Sequence, residues 1–164
     1  MVRYSFSMSE LGNDVVKSAR MRIEMPFRHH FKPDNLCEYG RNTADACMER
    51  GMDALGYDCS GLAVASLCEV LNISTRDWPR ELRHTQQLAK LATEDDFAPG
   101  DFRLFYSPNG RIHIGVAMAG QEVIHASGKT NVVEESLVMD PSGSFEAVKV
   151  VALESLRRVL KMYA

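Results

Sequence analysis

The sequence predicts an α+β fold in which N-terminal helices pack on a central antiparallel β-sheet. Three observations lead there. Apolar residues recur at helical spacing in the first half of the chain. Alternating or short apolar runs dominate the second half, and Gly-, Pro- and Asn-containing turns separate them. Helices first and strands second is the pattern of segregated layers. At 164 residues, with 45% hydrophobic and 25% charged content, the chain suits one globular domain over 1–164, with an inserted loop at about 28–56.

The elements follow in order. Ser7 and Glu10 have the spacing of a capping box, and Leu11, Val15, Val16, Ala19 and Ile23 behind them predict a helix over about 8–24, ending before Pro26. From Pro26 to Tyr57 the period is lost among Pro33-Asp34-Asn35, Gly40-Arg41-Asn42, Gly51 and Gly56, with room for a short helix over Thr43 to Glu49. A loop of that length in a compact domain is usually functional or mobile. A helix then starts at Cys59 and runs to Leu71, with Leu62, Leu67, Val70 and Leu71 as its apolar stripe. Glu81 to Ala92 reads as a further helix with Leu82, Leu88 and Leu91 inward, and His84 on its polar face. After the Pro99-Gly100-Asp101 turn come strands over Phe102 to Tyr106, Ile112 to Met118, Glu122 to Ala126, Asn131 to Glu134 and Ala147 to Ala152. The tail from Leu153 to Tyr163 fits either a helix or an extension of the sheet.

Charge narrows the partners. Nineteen basic against 22 acidic residues leave a net charge of -3, which points away from nucleic acid. No apolar run is long enough for a membrane span, and the N-terminus shows no charged region followed by an apolar core, so no signal peptide is visible. Cys37, Cys47, Cys59 and Cys68 contain no Cys-x-x-Cys pair, so no zinc site is expected; the four are read as reduced, a disulfide between Cys37 and Cys47 in their polar loop being the less favoured option. Cys68 reads as a core residue of the Cys59 helix. His29 and His30 are adjacent and do not converge on one ion without other ligands, so no metal and no cofactor is expected.

Tyr57-Asp58-Cys59-Ser60-Gly61-Leu62 organises the chain, because it places a cysteine where a turn becomes a helix. Asp58 and Ser60 are residue types that satisfy amide N–H groups at a helix start. A thiol in the first turn feels the positive end of the helix dipole, which favours the thiolate. A candidate base lies among the strands. His113 and His125 are twelve residues apart, and a three-residue loop Met118-Ala119-Gly120 would pair Ala117 with Gln121 and set the two histidines directly opposite each other on one face. A two-residue loop would send them to opposite faces. On the first register Cys59 is the nucleophile, His113 the base and then the acid, and His125 the group that orients His113. The Cys59 backbone N–H is a candidate oxyanion donor.

Together Asp58-Cys59-Ser60-Gly61-Leu62, Pro99-Gly100-Asp101, His113-Ile114-Gly115 and Ile124-His125-Ala126 resemble the NlpC/P60 family of papain-like cysteine peptidases, over roughly residues 8–152 and in the family's order. The resemblance implies a papain-like α+β catalytic domain with a Cys-His-His triad, here Cys59, His113 and His125. It also implies hydrolysis of amide bonds in peptidoglycan stem peptides or related small peptides, often between D-glutamate and a diamino acid. Asp58, Ser60, His29 and Tyr57 are the expected substrate-binding residues. Family members often carry a tyrosine about a dozen residues before the cysteine; the comparable stretch is Pro26-Phe27-Arg28-His29, 32 residues before Cys59 at Phe27, where no hydroxyl is present. That stretch resembles phage-tail-associated members, and His29, Tyr39 or Tyr57 are the candidates to supply the missing donor. With no signal peptide visible, a cytoplasmic or phage-associated setting is expected over a secreted one. The rival readings are an acyltransferase on the same scaffold, a non-catalytic phage-tail or wall-binding module that retains the fold, and a redox-sensing thiol protein.

Overall fold

Helical spacing and strand alternation separate into two layers in the computed structural model, which describes residues 7–27, 56–138 and 145–162. The helices are α1 (Met8–Arg20), α2 (Cys59–Leu71), a short α3 (Thr85–Ala89) and α4 (Leu153–Lys161), with 3-10 turns at Thr75–Asp77 and Arg80–Leu82. The strands are β1 (Phe102–Tyr106), β2 (Ile112–Ala117), β3 (Val123–Ser127), β4 (Val132–Ser136) and β5 (Ala147–Val151). They form one antiparallel sheet in the order β4-β3-β2-β1-β5. The first four strands are a meander, and β5 returns to the far side of β1.

Strand alternation decides which face is buried by helices. Phe102, Leu104, Ile114, Val116, Ile124, Ala126 and Val133 line one face and share a core with Leu11, Val15 and Ala19 of α1 and with Leu62 and Leu67 of α2. Leu153 and Leu156 of α4 join the same core, which settles the tail as helix. His113, His125 and Glu134 occupy the positions that alternate with these. The Ser7 hydroxyl accepts from the Glu10 N–H at 3.3 Å and the Glu10 carboxylate accepts from the Ser7 N–H at 3.0 Å, so the expected capping box opens α1.

Two helices differ from expectation. The first ends at Arg20 instead of residue 24, because Glu24 adopts φ 76° and gives its N–H to the Val133 carbonyl at 2.8 Å. Met25 and Phe27 continue that pairing, so the segment after α1 covers the outer edge of β4. Covering a sheet edge satisfies backbone groups that would otherwise template association. The expected helix from Glu81 to Ala92 is broken into a 3-10 turn and α3, since the Gln87 side chain accepts from the Arg83 and His84 N–H groups at 3.0 and 2.9 Å. The expected short helix over Thr43–Glu49 lies outside the described residues. Pro26 and Phe27 on one side and Tyr57 on the other, which flank the expected inserted loop, are adjacent: Phe27 and Tyr57 form a parallel bridge, and the Tyr57 N–H donates to the Pro26 carbonyl at 3.0 Å.

The Pro99-Gly100-Asp101 turn locks the layers together. A Cβ on Gly12 of α1 would stand 2.1 Å from the Pro99 carbonyl oxygen, and one on Gly100, at φ 94°, would stand 2.5 Å from Gly12 Cα. The Asp101 carboxylate accepts from the Ala98 N–H and from the Leu153 N–H, both at 2.9 Å, so it caps α4 across 52 residues of sequence. Gly12→Ala is expected to destabilise the fold by about 2 kcal/mol or more, through overpacking, although alanine is the better helix former by about 1 kcal/mol. Urea unfolding midpoints check this, and an unchanged or raised midpoint contradicts the close packing.

Candidate active site

Cys59 is the first residue of α2 and is half-buried. Asp58 caps the helix, its carboxylate accepting from the Gly61 N–H at 2.7 Å. The cap holds the first turn rigid and leaves the Cys59 side chain at the positive end of the dipole. Helix α2 packs against β2 and β3, and α3 packs against β2. From α3 the Thr85 hydroxyl lies 3.7 Å from the Cys59 sulfur.

Of the expected substrate-binding residues, Tyr57, Asp58 and Ser60 precede or begin the Cys59 helix and are buried there. Ser60 is fully buried, and Asp58 is buried beneath its own cap. Tyr57 is buried too, and its hydroxyl accepts from the Arg22 Nε at 3.2 Å. Arg22 also reaches the Glu69 carboxylate of α2 at 2.7 Å. Burial pulls the Glu69 carboxyl upward, but hydrogen bonds from Ser18 and Arg22 outweigh it and hold it below the usual range. Asp58 and Tyr57 thereby tie the start of the Cys59 helix to its first turn and to Arg22, just past the end of α1. His29, Tyr39, Cys37 and Cys47 lie outside the described residues, while Cys68 is buried in the core.

His113 and His125 meet. Their Nε2 and Nδ1 atoms are 2.8 Å apart, with the rings edge to face. The register differs from the three-residue-loop expectation: Ala117 pairs with Val123, leaving five residues in the connection. The histidines are thus diagonal neighbours instead of directly opposed. A shift of two residues keeps side chains on the same face, which is why the pairing survives the error. Gly115 makes the diagonal possible, because a Cβ there would stand 2.7 Å from Val123 Cγ2 and 3.3 Å from His125 Cβ. With Nε2 taken by His125, Nδ1 is the nitrogen His113 can offer to another group.

The chain of contacts continues to residues the sequence reading did not single out. His125 Nε2 lies 2.7 Å from the Ser136 hydroxyl, which donates to Glu134 Oε1 at 3.0 Å. The Glu134 carboxylate is itself 3.7 Å from His125 Nε2. Glu134 is the cross-strand partner of His125, and Ser136, two residues on in β4, shares its face; without the β3–β4 register no sequence signal pointed to either.

Burial pushes the His113 imidazole down to about 4. Burial, then the charge of His113, push His125 down to about 4 as well, against an upward pull from Glu134. Both rings are therefore neutral at neutral pH, and proton uptake belongs to the pair. An unfolded histidine titrates near 6.5. Between about 6.5 and about 4 the unfolded state binds more protons, so this contribution to stability is present above 6.5 and is lost as the pH falls through that window. A variant with glutamine at both positions is expected to lose less stability between pH 7 and pH 5 than the parent. Equal losses in paired urea titrations refute the assignment.

Among the described residues no group of three or more His, Cys, Asp or Glu side chains converges as a metal site. Nor is any described helix long and apolar enough to cross a membrane.

The comparisons agree with one another. A model of the NlpC/P60 family matches residues 39–150. The Escherichia coli (strain K12) protein described as "Probable endopeptidase NlpC" is 29% identical over 89 residues, covering 53% of this chain and 56% of that protein. The chain thus matches about half the length of that relative. Among solved structures, the peptidoglycan hydrolase RipB of Mycobacterium tuberculosis superposes with a TM-score of 0.56 at 19% identity, over 92% of this chain and 67% of the other. RipD of the same organism, a non-catalytic NlpC/P60 domain protein adapted to peptidoglycan binding, gives 0.53 at 18% identity, over 86% and 95%.

Proposed function

The chain belongs to the NlpC/P60 family, and from that premise we propose that it is a cysteine hydrolase cleaving an amide bond in peptidoglycan stem peptides or related small peptides. The observation that carries the reading is the His113–His125 pair, with ring nitrogens 2.8 Å apart and His125 buried, on the two strands that the Cys59 helix contacts. A neutral imidazole can accept a proton; an imidazolium cannot.

In the proposed sequence the Cys59 sulfur attacks the amide carbonyl carbon as its proton passes to His113 Nδ1. The oxyanion forms beside the Cys59 N–H at the helix start, where the dipole favours negative charge. His113 returns the proton to the leaving amine, and the C–N bond breaks to leave a thioester. Water then attacks the thioester carbon, His113 takes its proton and passes one to the departing sulfur, and the acid product leaves. His125 holds the ring of His113 and accepts its Nε2 proton in a hydrogen bond throughout.

The test is incubation with purified disaccharide-peptide fragments followed by mass spectrometry. The expected products are two peptides whose masses sum to the substrate plus one water. If the folded protein leaves every stem-peptide fragment intact, the hydrolase reading fails. The binding-module alternative has a counterpart in the non-catalytic RipD, which shares the fold; retention of fragments without cleavage favours it. Capture of the acyl group by an added amine in place of water identifies an acyltransferase.

A further inference from the structure

We propose that Glu134, through Ser136, is a positioning residue that fixes which nitrogen of His113 carries the proton. This deepens the preceding reading, because it rests on His113 serving Cys59 as a base.

The argument is one of hydrogen-bond direction. Four groups stand in a row: His113 Nε2 to His125 Nδ1 at 2.8 Å, His125 Nε2 to Ser136 Oγ at 2.7 Å, and Ser136 Oγ to Glu134 Oε1 at 3.0 Å. Neutral imidazole and hydroxyl can each be donor or acceptor, so His113, His125 and Ser136 alone permit two directions. An ionised carboxylate can only accept. Glu134 closes the row with a carboxylate oxygen, 3.0 Å from the Ser136 hydroxyl that donates to it. The Ser136 proton must then point at Glu134. Ser136 Oγ accepts from His125 Nε2–H, which leaves His125 Nδ1 bare. That nitrogen accepts from His113 Nε2–H, and His113 Nδ1 is left bare as well. The only direction compatible with a terminal carboxylate is the one that makes His113 a base on Nδ1.

Without the carboxylate the row can reverse. Ser136 then donates to His125 Nε2, the His125 Nδ1–H donates to His113 Nε2, and His113 carries its proton on Nδ1, where it cannot accept from a thiol. A wrong imidazole tautomer leaves geometry intact while removing most of the rate. The position of Glu134 makes the device local: it is the cross-strand partner of His125 on the edge strand of the sheet, so its replacement disturbs little of the core.

The experiment is imidazole ¹⁵N NMR of the intact chain at pH 7, comparing the parent with Glu134→Gln, Glu134→Ala and Glu134→Lys. The parent is expected to show His113 protonated on Nε2. Glu134→Gln retains an acceptor oxygen and is expected to keep that state. Glu134→Ala frees the direction, and Glu134→Lys, a pure donor, is expected to put the His113 proton on Nδ1. On stem-peptide fragments kcat should fall about tenfold or more in the Ala and Lys variants, with KM within about twofold and recovery in the Gln variant. His113 protonated on Nδ1 in the parent, or on Nε2 in all four proteins, overturns the proposal. The nitrogen assignments need no substrate, so a protein that hydrolyses nothing still answers the question about Glu134.

Discussion

Cys59→Ala is expected to abolish hydrolysis of stem-peptide fragments while the protein stays folded. The loss should reach about 10⁴-fold or more in kcat, because removing a nucleophile removes the covalent route and leaves only binding and oxyanion stabilisation. The fold should survive because the side chain is half-buried at a helix start and the cap that defines that start belongs to Asp58. Alanine at the first helical position removes the sulfur contact to Thr85 and leaves the Asp58 cap in place. Fragment turnover by liquid chromatography, alongside thermal unfolding, measures both halves. Turnover within tenfold of the parent means that another group is the nucleophile.

His113→Ala is the second large effect. Proton transfer by a positioned imidazole contributes about 10²- to 10⁴-fold, and this ring serves both steps of the proposed sequence. The thiol gives the sharper readout. In the parent, Cys59 combines a helix N-terminus with a neutral acceptor, so iodoacetamide should alkylate it at neutral pH faster than an ordinary thiol. Without His113 the acceptor is gone, and alkylation of Cys59 at pH 7 should slow by about tenfold or more. Peptide mapping separates Cys59 from the core thiol Cys68. An unchanged alkylation rate breaks the link between the two residues. His125→Ala should cost less than His113→Ala, since it orients the base and moves no proton to or from substrate.

Much of this architecture was written in local pattern. The boundaries of α2, the capping box of α1 and the start of each of the first two strands follow from residues within a turn or a pleat of one another. The pairing of His113 with His125 was legible through parity even though the loop length was misjudged, because a register error of two leaves the face unchanged. Glu134 and Ser136 were not legible. The apolar alternation of β4 fades at Glu134 and carries no register between β3 and β4, so nothing in the sequence sets those side chains beside His125.

Where chain segments meet across long separations, sequence pattern was silent and packing ruled. Glu24 leaves a helical pattern to pair with β4, Gln87 spends its side chain on backbone amides and breaks a helix, and Tyr57 turns inward to Arg22. The tail becomes a helix because Leu153 and Leu156 find the core and Asp101, far earlier in the chain, caps its first turn. Periodicity reports the energy of a residue with its near neighbours, which is enough to specify elements and the faces they bury. The partners of a backbone N–H or a polar side chain depend on which distant segment closes the core, and that choice is made by the whole chain at once.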